Sequence, residues 1–200
     1  MIQSLSNSNP ASALPRFSGR PPGSIEVICG SMFSGKTQEL IRRLRLCGIA
    51  KQKVEVFNSA LDTRYGKNQI ISHDLSKIPS HAAKTAREVL QKVRSDTQVV
   101  GIDEVHFFDE DIVQACEKLA DDGRRVIVAG LDQDYKGQPF LVMARLMAVA
   151  EFVTKNLAVC VVCGNPANKS QRLTHTRRRI EVGAATKYEA RCRRCFDKAA

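Results

Sequence analysis

An α/β fold, with a mostly parallel sheet flanked by helices and a small cysteine-rich module after it, is predicted by three features of this 200-residue chain. Short apolar runs alternate with amphipathic stretches before residue 158, the pattern of strands joined by helical crossovers. A glycine-containing loop separates the first apolar run from the first amphipathic stretch. From residue 158 onward the alternation gives way to a Cys- and Arg-rich segment. The chain therefore divides into a tail (1–23), an α/β domain (24–157) and a metal-binding module (158–200).

Residues 1–23 are rich in Ser, Asn and Pro, lack acidic residues and have no period, so a disordered tail is expected. A transit peptide is the other reading, although Arg16 and Arg20 are its only basic residues. Residues 25–29 are the first strand. The helix after the loop carries Leu40, Ile41 and Leu44 on one face and is expected to end before Gly48. Residues 54–57 form a second strand, and a polar loop is expected around residues 62–74. Ala86, Val89, Leu90 and Val93 mark the next helix. A third strand covers 99–102 and a fourth 125–129. Ile112, Ala115, Cys116 and Leu119 form the buried stripe of the helix between them, which Asp109, Glu110 and Asp111 precede as N-terminal charges.

Composition narrows the function. Hydrophobic residues at 43% and charged residues at 26% match a soluble globular protein, and no apolar run nears the roughly 20 residues that span a bilayer, so no membrane partner is expected. The formal charge is +10, and residues 158–200 hold ten Lys or Arg against three Asp or Glu, a net of +7. Such an excess suits a polyanion, either nucleic acid or the phosphates of a small ligand. Seven cysteines, four of them in two CxxC pairs, with no secretory signal, point to a reducing compartment and hence a cytoplasmic location.

Gly30, Ser31, Met32, Phe33, Ser34, Gly35, Lys36 and Thr37 match GxxxxGK[ST] at every fixed position. Between a strand and a helix, this loop can present its N–H groups and the helix dipole to nucleotide phosphates. Lys36 supplies a charge to the outer phosphates, and the Thr37 hydroxyl is a magnesium ligand. The sheet is accordingly of the P-loop, RecA-like type. Asp103 and Glu104 lie at the C-terminal end of the third strand, where open α/β sheets bind ligands. Asp103 is expected to hold magnesium and Glu104 to take a proton from water or a substrate hydroxyl.

Cys160 and Cys163 are separated by 28 residues from Cys192 and Cys195, the spacing of a zinc ribbon, and the four are expected to hold one structural zinc ion. The segment is too short to bury much apolar area, so the metal supplies its folding free energy. Cys29, Cys47 and Cys116 sit in or beside apolar stripes and are read as buried small hydrophobes.

These motifs in this order, with Asp62-Thr63-Arg64-Tyr65, Gly130-Leu131-Asp132 and Lys187-Tyr188, closely resemble those of the type II thymidine kinases from about residue 23 to 196. The resemblance implies transfer of the γ-phosphate of ATP to the 5′-hydroxyl of thymidine, and also of deoxyuridine. It places the catalytic base on Glu104 and puts Asp62 and Arg64 near the phosphates and magnesium. It maps the nucleoside pocket to Met32, Phe107, Leu131, Tyr135, Phe140, Ser170 and Tyr188. The loop between the CxxC pairs becomes a lasso holding the base through backbone groups of Arg179, Ile180, Glu181, Val182 and Gly183. It further implies feedback inhibition by dTTP and a homotetramer. In two places the chain departs from the family: Ala184 and Ala185 follow Gly183 where two glycines are usual, and His106 replaces a common Gln. His106 is read as a solvated loop residue.

The competing reading is an ATP-driven nucleic-acid-binding protein with a basic zinc ribbon. Against it, the Arg177-Arg178-Arg179 run has no interleaved aromatic residues on which bases could stack, so no nucleic-acid partner is expected.

Overall fold

The computed structural model describes residues 22–61, 69–71, 77–174 and 187–197. Its main body is a six-stranded sheet built from β1 (Ser24–Gly30), β2 (Val54–Ser59), β5 (His81–Ala83), β6 (Val99–Asp103), β7 (Arg125–Leu131) and β8 (Phe152–Asn156). The order is β5-β2-β6-β7-β1-β8, and every neighbouring pair is parallel. Helices α1 (Lys36–Ile49), α2 (Ala86–Lys92), α3 (Ile112–Asp121) and α4 (Leu141–Val149) provide the crossovers and cover the faces.

Because side chains alternate across a strand, the central strands feed two cores at once. Val27, Cys29, Val126, Val128, Val100 and Ile102 pack on the side of α3 and α4. Ile28, Ile127, Ala129, Val56 and Val99 pack on the other side against Leu40, Ile41, Leu44 and Cys47 of α1. Double-sided burial explains why these strands read as continuous Val/Ile runs rather than as polar–apolar alternation. The helix α1 comes so close to β6 that a Cβ on Gly101 would lie 2.7 Å from Leu44 Cδ1.

The fold agrees with the expected strand–helix alternation and adjusts its limits. The first helix continues through Gly48 to Ile49, since nothing there opposes the helical turn; the chain reverses at Lys51, which takes a positive φ of 58°. Part of the expected polar loop is ordered, as β3 (Gln69–Ile71) pairs antiparallel with β4 (Lys77–Pro79) and buries Ile70 against the α1 core. The tail up to residue 21 lies outside the described residues.

Two small antiparallel sheets follow the main one. β9 (Ala158–Val159) pairs with β10 (Pro166–Ala167), and β11 (Lys169–Arg172) pairs with β12 (Tyr188–Arg191). Each CxxC pair closes a tight turn. Gly164 N–H donates to Cys160 O at 2.9 Å, and Phe196 N–H to Cys192 O at 3.0 Å.

Candidate active site

The loop from Gly30 to Thr37 joins the C-terminal end of β1 to the N-terminus of α1, as its sequence requires. Gly30 sits at φ 146°, and a Cβ there would collide with the Asn156 carbonyl oxygen at the end of β8, so only glycine fits. Gly35, at φ 77°, caps α1 without any side-chain hydrogen bond. The first turn of the helix is thus left to its own N–H groups and dipole, the arrangement that binds phosphate. Lys36 Nζ donates to Ser31 O at 2.8 Å, holding its charge across the loop mouth. Ser34 Oγ donates to the same carbonyl at 2.8 Å. A groove of about 470 Å³ runs from Ser34 and Gly35 along α1 past Gln38, Glu39, Arg42 and Arg45.

Asp103 ends β6 directly beside this loop and is buried. Its carboxylate accepts from Thr37 Oγ1 at 3.1 Å and from Glu104 N–H at 3.0 Å. Octahedral magnesium, with bonds of about 2.0–2.1 Å, spaces adjacent oxygen ligands about 3 Å apart, so the Thr37 and Asp103 oxygens fit that ion. Glu104 is held at φ 50° and ψ 40°, a left-handed conformation that costs a non-glycine residue roughly 1–3 kcal/mol. That strain turns the chain sharply out of the sheet next to the phosphate loop.

His106 corrects the expectation of a solvated loop residue. The residue is buried, because the 3-10 turn Val105–Phe107 folds it back under the sheet end. Its ring packs against Phe107 and Phe140, with centroids 4.0 and 4.8 Å away. Nδ1 accepts from Leu131 N–H at 3.2 Å and lies 3.5 Å from Glu104 Oε2. His106 therefore joins three of the expected pocket residues, Phe107, Leu131 and Phe140, to Glu104.

Of the other expected pocket residues, Ser170 and Tyr188 come from the cysteine module, Met32 from the phosphate loop and Tyr135 from the loop after β7. Met32 N–H donates to Ser170 Oγ at 2.9 Å, and Ser31 Oγ lies 3.4 Å from Ala167 O, so β10 and β11 lean directly on the phosphate loop. Phe33 packs against the small apolar cluster of the module. Tyr135, in the loop after β7, and Tyr188, on β12, meet through Arg172. Asp62, Arg64, Arg179, Ile180, Glu181, Val182 and Gly183 lie outside the described residues. Arg172 is in none of the expected sites, and Asp132, which the Gly130-Leu131-Asp132 motif contains without a role, is buried with its Oδ2 2.7 Å from Lys155 Nζ. Period two offered one signal: Ser170 and Arg172 share a face of β11.

The sulfur atoms of Cys160, Cys163, Cys192 and Cys195 all lie within 4.8 Å of one another, with Cys163 and Cys192 at 3.6 Å. Tetrahedral zinc–sulfur bonds of about 2.3 Å put sulfurs about 3.8 Å apart, so four soft donors here could hold a metal such as zinc. The thiols do not ionise alike. Burial pushes Cys160 up, but backbone groups of Cys192, Val162 and Cys163 outweigh it and bring the thiol to about 6. Cys195 is pushed up to about 12 by its hydrogen bonds with Cys163 and Cys192. Four thiolates this close require a cation to coexist. Cys29, Cys47 and Cys116 are buried in the main cores, as expected of small hydrophobes.

A phosphate loop on a parallel sheet, an adjacent Thr–Asp oxygen pair and a carboxylate beside them define a nucleotide-binding protein of the P-loop class. The family model described as thymidine kinase matches residues 23–196, and the chain belongs to the thymidine kinase family. A thymidine kinase of Rhodothermus sp. (strain ITI 518) is 56% identical over 178 residues, covering 89% of this chain and 83% of that protein. Domain III of the Thermotoga maritima replication initiation protein DnaA aligns at 14% identity over 66% of this chain and 54% of its own, with a TM-score of 0.38. The Legionella pneumophila ATPase DotB aligns at 14% identity over 73% and 44%, with a TM-score of 0.42. Likenesses this weak inform neither fold nor function.

Proposed function

We propose that this protein transfers the γ-phosphate of ATP to the 5′-hydroxyl of thymidine, and of deoxyuridine, giving dTMP for DNA synthesis by salvage of pyrimidine nucleosides. The observation that carries the reading is the meeting of Glu104, the Thr37–Asp103 pair and Lys36 beneath a module that supplies Ser170 and Tyr188. Family membership supports the choice of substrate.

In the reaction Glu104 accepts the proton of the 5′-hydroxyl as its oxygen attacks the γ-phosphorus. A new P–O bond forms while the bond to the β–γ bridging oxygen breaks, and ADP leaves. Lys36 and the N–H groups of the loop stabilise charge on the transferring group. Thr37 and Asp103 would hold magnesium, which would supply positive charge to the phosphates. Asp62 and Arg64 belong to the same phosphate environment in this reading, and residues 179–183 hold the base.

Three further assignments belong to the reading. The metal of the four cysteines is zinc with a structural role, because no position of the cluster is left for a reactant. The end product dTTP inhibits, since it carries both the pyrimidine that the pocket takes and the phosphates that the loop takes. The chain forms a homotetramer, a reading supported by apolar side chains exposed on and after edge strand β8, including Phe152, Val153, Leu157 and Val159. No helix among the described residues is long and apolar enough to cross a membrane. A cytoplasmic location is part of the same proposal.

The test is direct: purified protein, ATP, magnesium and thymidine, without nucleic acid. Formation of dTMP is expected. ATP hydrolysis that requires nucleic acid and leaves thymidine unchanged would replace this reading with the nucleic-acid-driven ATPase.

A further inference from the structure

Arg172 is buried to within 3% of full enclosure, although arginine is seldom found so deep. Among the described residues its guanidinium meets two tyrosines. The plane lies over the Tyr135 ring, 3.6 Å from the centroid, in a cation–π contact that strengthens when water is excluded. Its Nη2 and Nε donate to the Tyr188 hydroxyl at 2.8 and 3.2 Å. Tyr135 belongs to the loop that leaves the main sheet after β7, whereas Tyr188 and Arg172 face each other across the β11–β12 pair. One side chain thus ties a ring on the main body to a ring on the cysteine module.

The neighbours of this clamp connect it with the proposed nucleoside pocket. Ser170, two residues away on the same face of β11, accepts from Met32 N–H of the phosphate loop. A purely structural link between sheet and module already exists there. The Tyr135–Arg172–Tyr188 stack adds a second link whose two ends are aromatic rings, the groups against which a flat base packs. A planar fork can stack on one ring while it donates to the hydroxyl of the other; an ammonium group cannot do both.

We propose that Arg172 is a positioning residue for nucleoside recognition: it fixes the Tyr135 and Tyr188 rings at the spacing the base requires and takes no part in phosphoryl transfer. This rests on the reading of the protein as a thymidine kinase. The proposal locates specificity on a residue that touches neither phosphate nor reacting oxygen.

Steady-state kinetics of Arg172→Lys, Arg172→Met and Tyr188→Phe test it, with zinc content and melting temperature measured on each. The KM for thymidine should rise about tenfold in Arg172→Lys, which retains the charge, and at least as far in Arg172→Met. The change in kcat should be at least fivefold smaller, and KM for ATP should stay within twofold. Tyr188→Phe removes only the accepting oxygen, so it addresses the same contact even where an Arg172 variant does not fold. In the background of Tyr188→Phe, Arg172→Lys should have less effect than alone. An unchanged thymidine KM in Tyr188→Phe or Arg172→Lys, or equal changes in the two KM values, overturns the proposal while leaving the kinase reading intact. A wild-type protein that makes no dTMP overturns both.

Discussion

Removing the metal should unfold the cysteine module while the main sheet persists. Among the described residues, the buried apolar cluster of the module is Ala158, Cys160, Ala167, Ala190 and Cys192, small side chains to which Tyr188 adds one large buried ring. At about 0.8 kcal/mol per buried methyl-sized group, such side chains contribute only a few kcal/mol. Structural zinc supplies about 10–16 kcal/mol in comparable sites, several times more. The main sheet depends on nothing of the kind, since Phe57, Ile28, Leu40, Ile102 and Met143 are fully enclosed in its own cores. Chelation should therefore split the thermal melt into an early and a late transition, with helical circular dichroism lost only in the late one. Because Met32 bonds to Ser170 and Phe33 packs on the module, KM for both thymidine and ATP should rise as zinc leaves. Cys192→Ser should bind less than one zinc per chain. A single melt that chelator does not shift, or full zinc occupancy in Cys192→Ser, would refute the reasoning.

Three substitutions in the main body separate the roles at the phosphate end. Glu104→Gln should keep ATP binding and lose about 10² to 10⁴ in kcat, the usual contribution of a positioned base; near-normal turnover would show that another group takes the proton. Lys36→Ala should weaken ATP binding as well as turnover, because the ammonium acts on the phosphates in the ground state, and an unchanged affinity for ATP would exclude that role. Gly30→Ala combines a φ of 146° with a collision against Asn156, so isothermal titration should detect little ATP binding even where the protein folds.

Much of this architecture was legible because local and global signals coincide. The GxxxxGK[ST] loop fixes a strand before it and a helix after it, and β1 and α1 follow. The α3 stripe of Ile112, Ala115, Cys116 and Leu119 is equally clear, since Gln114, Glu117 and Lys118 break it at helical spacing. α4 escaped because Leu141–Val149 is apolar almost all round and shows no contrast between faces. β5 has three residues, too few for a period, and β8 lies on an edge with Phe152 and Val153 exposed. At the site, motifs pointed to Lys36, Thr37, Asp103, Glu104 and the four cysteines. Arg172 belongs to no such motif, and the motif that contains His106 gave no sign that it is buried. Their burial follows from a 3-10 turn and from a cross-strand pairing, neither of which is visible until the chain is folded.

Those two residues also explain how a site divided between two structural units can act as one. The phosphate end belongs to β1, α1 and β6, and the module reaches it through Met32–Ser170 and Ser31–Ala167. The far end is tied back through Tyr135–Arg172–Tyr188. Between them His106 receives the Leu131 N–H and borders Glu104, so the proposed pocket residue and the proposed base share one buried neighbour. A displacement of the module by even an ångström would then be felt at the phosphate loop, and a misplacement of that size is enough to cost an enzyme about a hundredfold in rate. A metal held by the four cysteines would thereby influence catalysis without contributing any chemistry to it.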